Sequence, residues 1–138
     1  MARAKSECTC INLRRAANAI TDYYDRLLKP CGLTVSQFSL IANIDRIGIC
    51  SISELAKYVG LERTTLARSL QPLILNKLVE DISPVGTRNC QIKVTPAGFQ
   101  ALEKGKPLWK EAQDGVKAKI GEDNIALLMH LLSLVEDL

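Results

Sequence analysis

Apolar residues recur every three or four positions along most of this 138-residue chain, a spacing that predicts a mainly α-helical protein. The first helix is predicted from about Cys8 or Ile11 to Lys29. A second begins after Thr34, because Thr34 and Gln37 have the spacing of a capping box, and it ends at Gly48. Two helices therefore fill the first third of the chain.

Two shorter helices follow, joined by a glycine. Ser51 and Glu54 form a second capping box, and the helix that they open stops at Gly60. The next helix is predicted over residues 62–76, and Pro72 inside it should bend the axis because proline lacks the backbone N–H. The pattern thus predicts a helix pair with a tight turn between its members.

After this pair the hydrophobic period changes from 3.6 to 2, which indicates β-strands. Two strands are predicted, at residues 78–82 and 90–94, and the turn-rich residues 83–89 between them make a β-hairpin. Helices return after Thr95, so that the predicted order is α-α-α-α-β-β-α-α. The fold class is therefore mainly α with one small β-hairpin.

The last two helices are predicted over residues 96–120, with a bend at Pro107, and over residues 122–138. The final helix has an apolar stripe formed by Ile125, Leu128, Met129, Leu132 and Val135. A single small chain would expose much of this stripe, so we expect it to pair with the first helix of a second chain. The alternative is a stripe that is covered wholly within one chain.

The helix pair fits a helix-turn-helix motif over residues 52–70. Ala56 is the small residue needed where the two helices cross, and Gly60 supplies the turn four residues later. Any short pair of helices with a glycine turn would show the same local pattern. The hairpin directly after the second helix favours the more specific interpretation, a winged helix-turn-helix, because a plain helical bundle has no need of a hairpin there.

Composition narrows the class of protein. Hydrophobic residues make up 47% of the chain and charged residues 24%, which argues against disorder, and the length suits one domain. The chain shows neither a run of about eighteen apolar residues nor an apolar leader, so no membrane span and no signal peptide are expected, and the protein is predicted to be cytoplasmic. The net charge of +3 is distributed as +3, +2 and −2 over residues 1–50, 51–95 and 96–138, which is compatible with a polyanionic partner.

Three segments together resemble the MarR family of bacterial transcription regulators (multiple antibiotic resistance regulators). They are LTVSQF at the start of the second helix, SISELAKYVGLERTTLARSL in the helix-turn-helix, and RNCQIKVTPAG at the end of the hairpin. The resemblance covers nearly the whole chain. It implies one domain in which residues 34–95 form the DNA-binding winged helix, while residues 1–33 and 96–138 form dimerisation helices. It also implies a homodimer that binds pseudo-palindromic operator DNA. Our own hypothesis is that this homodimer is a repressor, which a small-molecule effector or thiol oxidation releases from DNA.

The second helix of the helix-turn-helix would then lie in the major groove of double-stranded DNA. The polar residues on its first turns are Arg63, Thr64, Thr65, Arg68 and Ser69. Arginine can pair with guanine through two hydrogen bonds, and threonine can contact a base edge, a phosphate or a thymine methyl group. We expect Arg68 and Thr64 to contact DNA most directly. A solvated helix face is the alternative for each of these side chains.

The hairpin carries the second expected DNA contact. Arg88 matches the wing arginine that family members insert into the minor groove, where negative potential is concentrated. Gly86 stands where the family usually has an aspartate that helps to hold the wing, so we expect a more mobile wing in this chain. Lys77 replaces a helix-ending glycine of the family, which leaves Asn76 or Lys77 to adopt the left-handed conformation.

Cys8 and Cys10 are the candidate redox-active residues. A helix N-terminus and the nearby Arg14 and Arg15 would favour the reactive thiolate, so thiol oxidation is one way in which such a regulator could respond to its surroundings. The alternative is a pair of unreactive thiols in a reducing cytoplasm. A metal site is not expected, because Cys8, Cys10 and the distant His130 do not supply a full set of ligands, and no cofactor is predicted.

The resemblance also implies a cleft for a small anionic or phenolic effector, between the dimerisation helices and the winged helix. Its candidate lining residues are Arg15, Tyr23, Tyr24 and Phe38. All four side chains could equally belong to the core or to the surface.

Two other classes of function fit less well. The sequence has no nucleophile–base pair, no phosphate-binding glycine loop and no carboxylate cluster, so an enzyme is not expected. A winged helix that binds only protein, without DNA, is the remaining alternative. The hydroxyl-rich face around Thr64 and Thr65 favours DNA, whereas an apolar face would favour protein.

Overall fold

The helices lie close to their predicted positions in the computed structural model, which describes residues 2–84 and 90–138. They are α1 (Thr9–Leu28), α2 (Val35–Ile47), α3 (Ile52–Val59), α4 (Arg63–Leu75), α5 (Pro96–Ile120) and α6 (Glu122–Glu136). A 3₁₀ turn (Lys29–Cys31) follows α1, and the strands are β1 (Cys50–Ser51), β2 (Val79–Asp81) and β3 (Gln91–Val94). The predicted fold class, a mainly helical winged helix-turn-helix, is confirmed.

Local hydrogen bonds explain where two of the helices begin. The Thr34 hydroxyl accepts a hydrogen bond from the Gln37 backbone N–H, and the Gln37 side chain accepts one from the Thr34 N–H, which confirms the first capping box. At the start of α3, Ser51 Oγ accepts from the Glu54 N–H at 3.0 Å. Both caps satisfy backbone N–H groups that have no partner inside their helix.

The sheet contains a third strand that the sequence pattern did not predict. Strand β1 pairs antiparallel with β3, with Ser51 opposite Gln91, and β2 pairs antiparallel with β3, with Val79 opposite Val94. The strand order is therefore β1–β3–β2. A two-residue strand is too short to show a period of two, and it forms only because β3 supplies its partner. The predicted two-stranded hairpin was incomplete for that reason.

The core joins α2, α3 and α4 to the sheet. Its fully buried side chains include Ile41, Ile44, Leu55, Leu66, Leu70, Leu73, Val79 and Ile92. Ala56 on α3 is also buried, as expected of the small residue in a helix-turn-helix, and Gly60 closes the turn with a φ of 72°. A side chain at Gly60 would have to adopt the left-handed region, which costs other residues free energy.

Hydrogen bonds of Thr95 connect the start of α5 to the turn between α4 and β2. The Thr95 hydroxyl donates to the Lys77 carbonyl at 2.6 Å and accepts from the Gly98 N–H at 3.0 Å. The Thr95 N–H donates to the Leu78 carbonyl at 3.1 Å. Lys77 has a φ of 60°, so it adopts the left-handed conformation that was expected of Asn76 or Lys77. The long helix α5 is thereby tied to the end of α4.

Helix α6 packs less closely than the rest of the chain. None of its residues is buried, and Leu127, Met129 and Leu134 are 54%, 55% and 52% exposed. A helix that is apolar on all sides is normally enclosed by its surroundings. Helix α6 thus carries apolar surface that the described part of the chain does not cover.

Across residues 2–84 and 90–138, no helix is long and apolar enough to cross a membrane.

Candidate nucleic-acid interface

The inner face of α4 packs into the hydrophobic core. Leu66, Leu70 and Leu73 recur at intervals of four and three residues, and each is at most 1% exposed. Because residues three and four apart share one face of a helix, the opposite face of α4 points into solvent. The core thus determines which side chains α4 presents.

The outward face carries two of the predicted DNA-contact residues. Thr64 and Arg68 are exposed and lie opposite the buried leucines. Arg63 and Thr65 are also exposed, at the flanks of that face. Ser69 is half-buried, and its hydroxyl donates to the Thr65 carbonyl at 3.1 Å. The structure therefore brings Thr64 and Arg68 together on one face and places the other three residues beside them.

Gln71, which sequence reasoning missed, shares this outward face. It lies seven residues after Thr64 and three after Arg68, and its side chain is exposed. The helical spacing was present in the sequence. Only the burial of Leu66, Leu70 and Leu73 shows which face of α4 is inside, and hence that Gln71 is outside.

The charge on α4 favours an anionic partner. The helix contains two arginines and no acidic residue. The backbone N–H groups at its start add partial positive charge. Glu62, the residue before the helix, is exposed and makes no capping hydrogen bond through its side chain. The outward face is therefore polar and positive, as expected of a surface that contacts phosphates and base edges.

A chain of hydrogen bonds organises the base of the wing between β2 and β3. Asp81 Oδ1 accepts from the Ser83 backbone N–H at 2.9 Å and from the Ser83 hydroxyl. Ser83 Oγ in turn accepts from the Gln91 N–H at 2.7 Å. The hydrogen bonds from the Ser83 hydroxyl and N–H hold the pKa of the Asp81 carboxyl below its ordinary value. Arg88, the expected minor-groove contact, and Gly86 lie outside the described residues.

A cavity of about 770 Å³ lies between α2 and α5. Phe38 and Trp109 line it, with ring centroids 6.2 Å apart and ring planes inclined by 22°. The lining also includes four basic side chains, those of Arg46, Lys106, Lys110 and Lys117, and one acidic side chain, that of Asp114, which lies 3.0 Å from Lys110 Nζ. An aromatic wall with a cationic rim suits a flat organic anion.

The basic rim is linked to neighbouring groups by exposed interactions. Lys106 Nζ lies 2.7 Å from Glu103 Oε1, and this hydrogen bond raises the pKa of Lys106. Arg46 donates to the Tyr58 hydroxyl on α3 at 3.4 Å, a long hydrogen bond. Such exposed interactions contribute little stability, so the rim can rearrange around a bound anion. Arg46 also connects the rim to the helix-turn-helix.

A second cavity, of about 360 Å³, adjoins the first one between α1, α5 and α6. Tyr24 and Met129 line it, and Trp109 and Gln113 line both cavities. The Tyr24 hydroxyl donates to Gln113 Oε1. Burial raises the pKa of Tyr24, and the neighbouring Tyr23 raises it further by a smaller amount. The Tyr24 hydroxyl therefore keeps its proton at neutral pH.

The four predicted effector residues do not form one site. Phe38 lines the larger cavity and Tyr24 the smaller one, whereas Arg15 and Tyr23 lie outside the lining of both. Arg15 donates to a backbone carbonyl of the residues before α1, and Tyr23 lies against Gly115 of α5. Arg15 and Tyr24 are nine positions apart, which is about 13 Å along a helix.

The cysteines have different environments. Cys8 and Cys10 are exposed at the start of α1, and Cys8 occupies the N-cap position without a capping hydrogen bond from its side chain. Cys50 is fully buried, and this burial raises the pKa of its thiol. Cys31 and Cys90 are half-buried. In the part of the chain that the structure describes, no group of three His, Cys, Asp or Glu side chains is arranged to hold a metal ion.

Solved structures provide the informative comparisons, since no family model and no curated protein matches the chain. The transcriptional regulator MosR of M. tuberculosis, crystallised in complex with DNA, is 37% identical to this chain with a TM-score of 0.81. The match covers 95% of this chain and 97% of MosR. Sequence identity of this level over nearly the full length of both chains indicates a shared protein family as well as a shared fold.

Two more distant structures have the same fold. BpsR of Bordetella bronchiseptica, whose DNA binding is regulated by 6-hydroxynicotinic acid, is 20% identical with a TM-score of 0.83, and the match covers 100% of both chains. MarR of E. coli is 21% identical with a TM-score of 0.65, over 96% of this chain and 98% of MarR. These neighbours are transcription regulators and not enzymes.

Proposed function

The chain belongs to the MarR family of transcription regulators, which bind DNA with a winged-helix fold, and from this premise we propose that it is a cytoplasmic homodimeric repressor. The dimer binds pseudo-palindromic operator DNA, and a small-molecule effector or thiol oxidation releases it. The observation that carries the proposal is the outward face of α4, where Thr64 and Arg68 are exposed on a helix without acidic residues.

In this proposal α4 enters the major groove with its outward face toward the base edges. Arg68 pairs with a guanine, and Thr64 contacts a neighbouring base or phosphate. Arg63, Thr65 and Ser69 lie at the flanks of that face, where the phosphate backbone passes. Arg88 on the wing reaches the adjacent minor groove.

The uncovered apolar surface of α6 supports the homodimer. Complete burial of a leucine side chain stabilises by about 1.5–3 kcal/mol, so covering the half that is exposed contributes about 1 kcal/mol for each leucine. Several such residues on α6 of each protomer would together contribute several kcal/mol. Residues 1–33 and 96–138 supply the interface, and two-fold symmetry sets the two α4 helices about 34 Å apart, on successive turns of the major groove.

The two adjoining cavities support an effector site for a small aromatic anion of the phenolic or carboxylate type. They lie where α2, from the winged helix, meets α1, α5 and α6. A ligand that binds there more tightly in one arrangement of these helices shifts the dimer toward that arrangement, in which the recognition helices no longer match the groove spacing.

Trp109 provides the readout for this effector site, because it is the single tryptophan of the chain and lines both cavities. A series of hydroxylated aromatic carboxylates, including 6-hydroxynicotinate, should contain members that quench Trp109 fluorescence and release DNA. Lys110→Ala should weaken both responses, while Lys104→Ala, an exposed lysine outside the lining, should leave them unchanged. If no member of the series changes fluorescence or DNA binding, the effector part of the proposal is wrong.

Oxidation of Cys8 and Cys10 is the second proposed route of release. Both thiols are exposed at the start of α1, in the segment that we place at the dimer interface, so their oxidation would alter that interface. Mild peroxide should release the wild-type protein from DNA but not the Cys8→Ser/Cys10→Ser variant, while Cys31→Ser should behave as wild type. Identical release from the double variant would refute the thiol route.

The test of DNA binding is a titration of the DNA upstream of the protein's own gene at several salt concentrations. Arg68→Ala and Arg88→Ala should each weaken binding by about tenfold or more while the dimer stays intact. Lys119→Ala removes the same charge from the end of α5 and should bind as wild type. If both arginine variants bind as tightly as wild type, the assigned contacts are wrong. If the wild type binds no DNA, a winged helix that binds only protein is the supported alternative.

A further inference from the structure

The outward face of α4 has three polar side chains, and the third has no role so far. Thr64, Arg68 and Gln71 follow one another at intervals of four and three residues, so they lie within about 60° of one another around the helix axis. All three are exposed. They span two turns, the length over which a recognition helix in the major groove presents its base-reading side chains.

Gln71 is not engaged within the described part of the chain. Its side chain is exposed, and no hydrogen bond to it is found among residues 2–84 and 90–138. Leu75, the next residue on this face, is 76% exposed and has no side-chain hydrogen-bonding group. Gln71 is therefore the last polar group on the outward face, and both its amide oxygen and its amide nitrogen are available to a ligand.

We propose that Gln71 determines operator specificity by reading one adenine in each half-site, an inference that rests on the DNA-binding function proposed above. A glutamine amide matches the adenine edge in the major groove, because its oxygen accepts from the N6 amino group and its NH₂ group donates to N7. The guanidinium of Arg68 matches guanine O6 and N7 in the same groove. Each half-site should therefore contain one adenine and one guanine read by the same helix face.

The helix geometry limits the distance between these two bases. Three residues of α-helix rise by about 4.5 Å, and base pairs are stacked about 3.4 Å apart. Arg68 and Gln71 therefore reach bases that are separated by no more than about two base pairs. The predicted guanine and adenine should therefore lie close together in DNA that the protein selects.

Selection from a randomised duplex library tests this reading with the full-length protein. Wild type and Gln100→Ala, which truncates an exposed glutamine on α5, should select the same half-site with one fixed adenine near a guanine. Gln71→Ala should retain the guanine but lose its preference at the adenine. If Gln71→Ala selects the same adenine as wild type, or if the wild-type half-site has no such adenine, the inference is wrong.

A modified base then tests the contact itself. Replacing the selected adenine by 7-deazaadenine removes the N7 acceptor and should weaken binding of wild type roughly tenfold, while binding of Gln71→Ala should not weaken further. An equal loss in both proteins would overturn the assignment of Gln71. If the wild type selects no sequence and binds no duplex, the proposed DNA-binding function fails as a whole, which is distinct from a failure of the Gln71 reading alone.

Discussion

Replacing Gly98 by alanine tests the joint between α5 and the turn that follows α4. A Cβ atom at this position would overlap the backbone carbonyl oxygen of Leu78 and would lie 2.7 Å from Val94 Cγ1. Carbon atoms in contact are normally 3.5–4.0 Å apart, so α5 would have to move away from the sheet by about 1 Å. The Leu78 carbonyl belongs to the backbone and accepts a hydrogen bond from the Thr95 N–H, so it cannot rotate away as a side chain would.

Three effects determine the expected change in stability. Overpacking of this kind costs about 1–3 kcal/mol, and loss of the hydrogen bond from Thr95 to Leu78 costs about 1 kcal/mol more. Replacing a glycine inside a helix by alanine stabilises the helix by about 1 kcal/mol. The clash therefore outweighs the gain in helix propensity, and Gly98→Ala should destabilise the folded protein by about 1–3 kcal/mol.

Urea unfolding followed by circular dichroism measures this loss as a lower midpoint with an unchanged slope. Gly105→Ala is the matched control, because it has the same gain in helix propensity but meets the ring of Phe38, a side chain, at 2.9 Å. Its loss should be smaller than that of Gly98→Ala. If Gly98→Ala unfolds at the same urea concentration as wild type or at a higher one, the close approach of α5 to Leu78 does not exist.

Three other predictions concern separate parts of the structure. Gly115→Ala should overlap the Tyr23 hydroxyl, and Tyr23→Phe should recover about 1 kcal/mol of the loss in a double-mutant cycle, whereas equal losses in both backgrounds would contradict the contact. Lys77→Gly should raise the urea midpoint by an amount equivalent to about 0.5–1 kcal/mol, because glycine adopts a φ of 60° without steric cost, and a lower midpoint would contradict this. The pKa of Asp81 is lowered in the fold, so its stabilising contribution is present above the ordinary value of about 4 and is lost as the pH falls below it. The difference in midpoint between wild type and Asp81→Asn should therefore shrink between about pH 7 and about pH 3, and a constant difference would show that the carboxylate has no such role.

Features that depend on neighbouring residues were predicted well. The capping box of Thr34 and Gln37 acts within one helical turn. The missing glycine after α4 left Asn76 or Lys77 to adopt the left-handed conformation, and Lys77 adopts it. Strand β1 was missed because two residues have no period, and their pairing depends on β3, about forty residues later in the chain. The effector residues were predicted from their type, and two of them, Arg15 and Tyr23, are not among the residues that line the cavities.

The amino-acid sequence alone predicts the helices, the helix-turn-helix and the candidate DNA residues, because the spacing of apolar side chains and the caps act over a few positions. It also determined that the charge is positive where DNA is expected and negative toward the C-terminus. The three-dimensional fold is needed to show which face of α4 is free, since burial of Leu66, Leu70 and Leu73 is a property of the whole core. It also decided where the cavities lie and that α6 is left uncovered, because these depend on contacts between helices that are far apart in the chain.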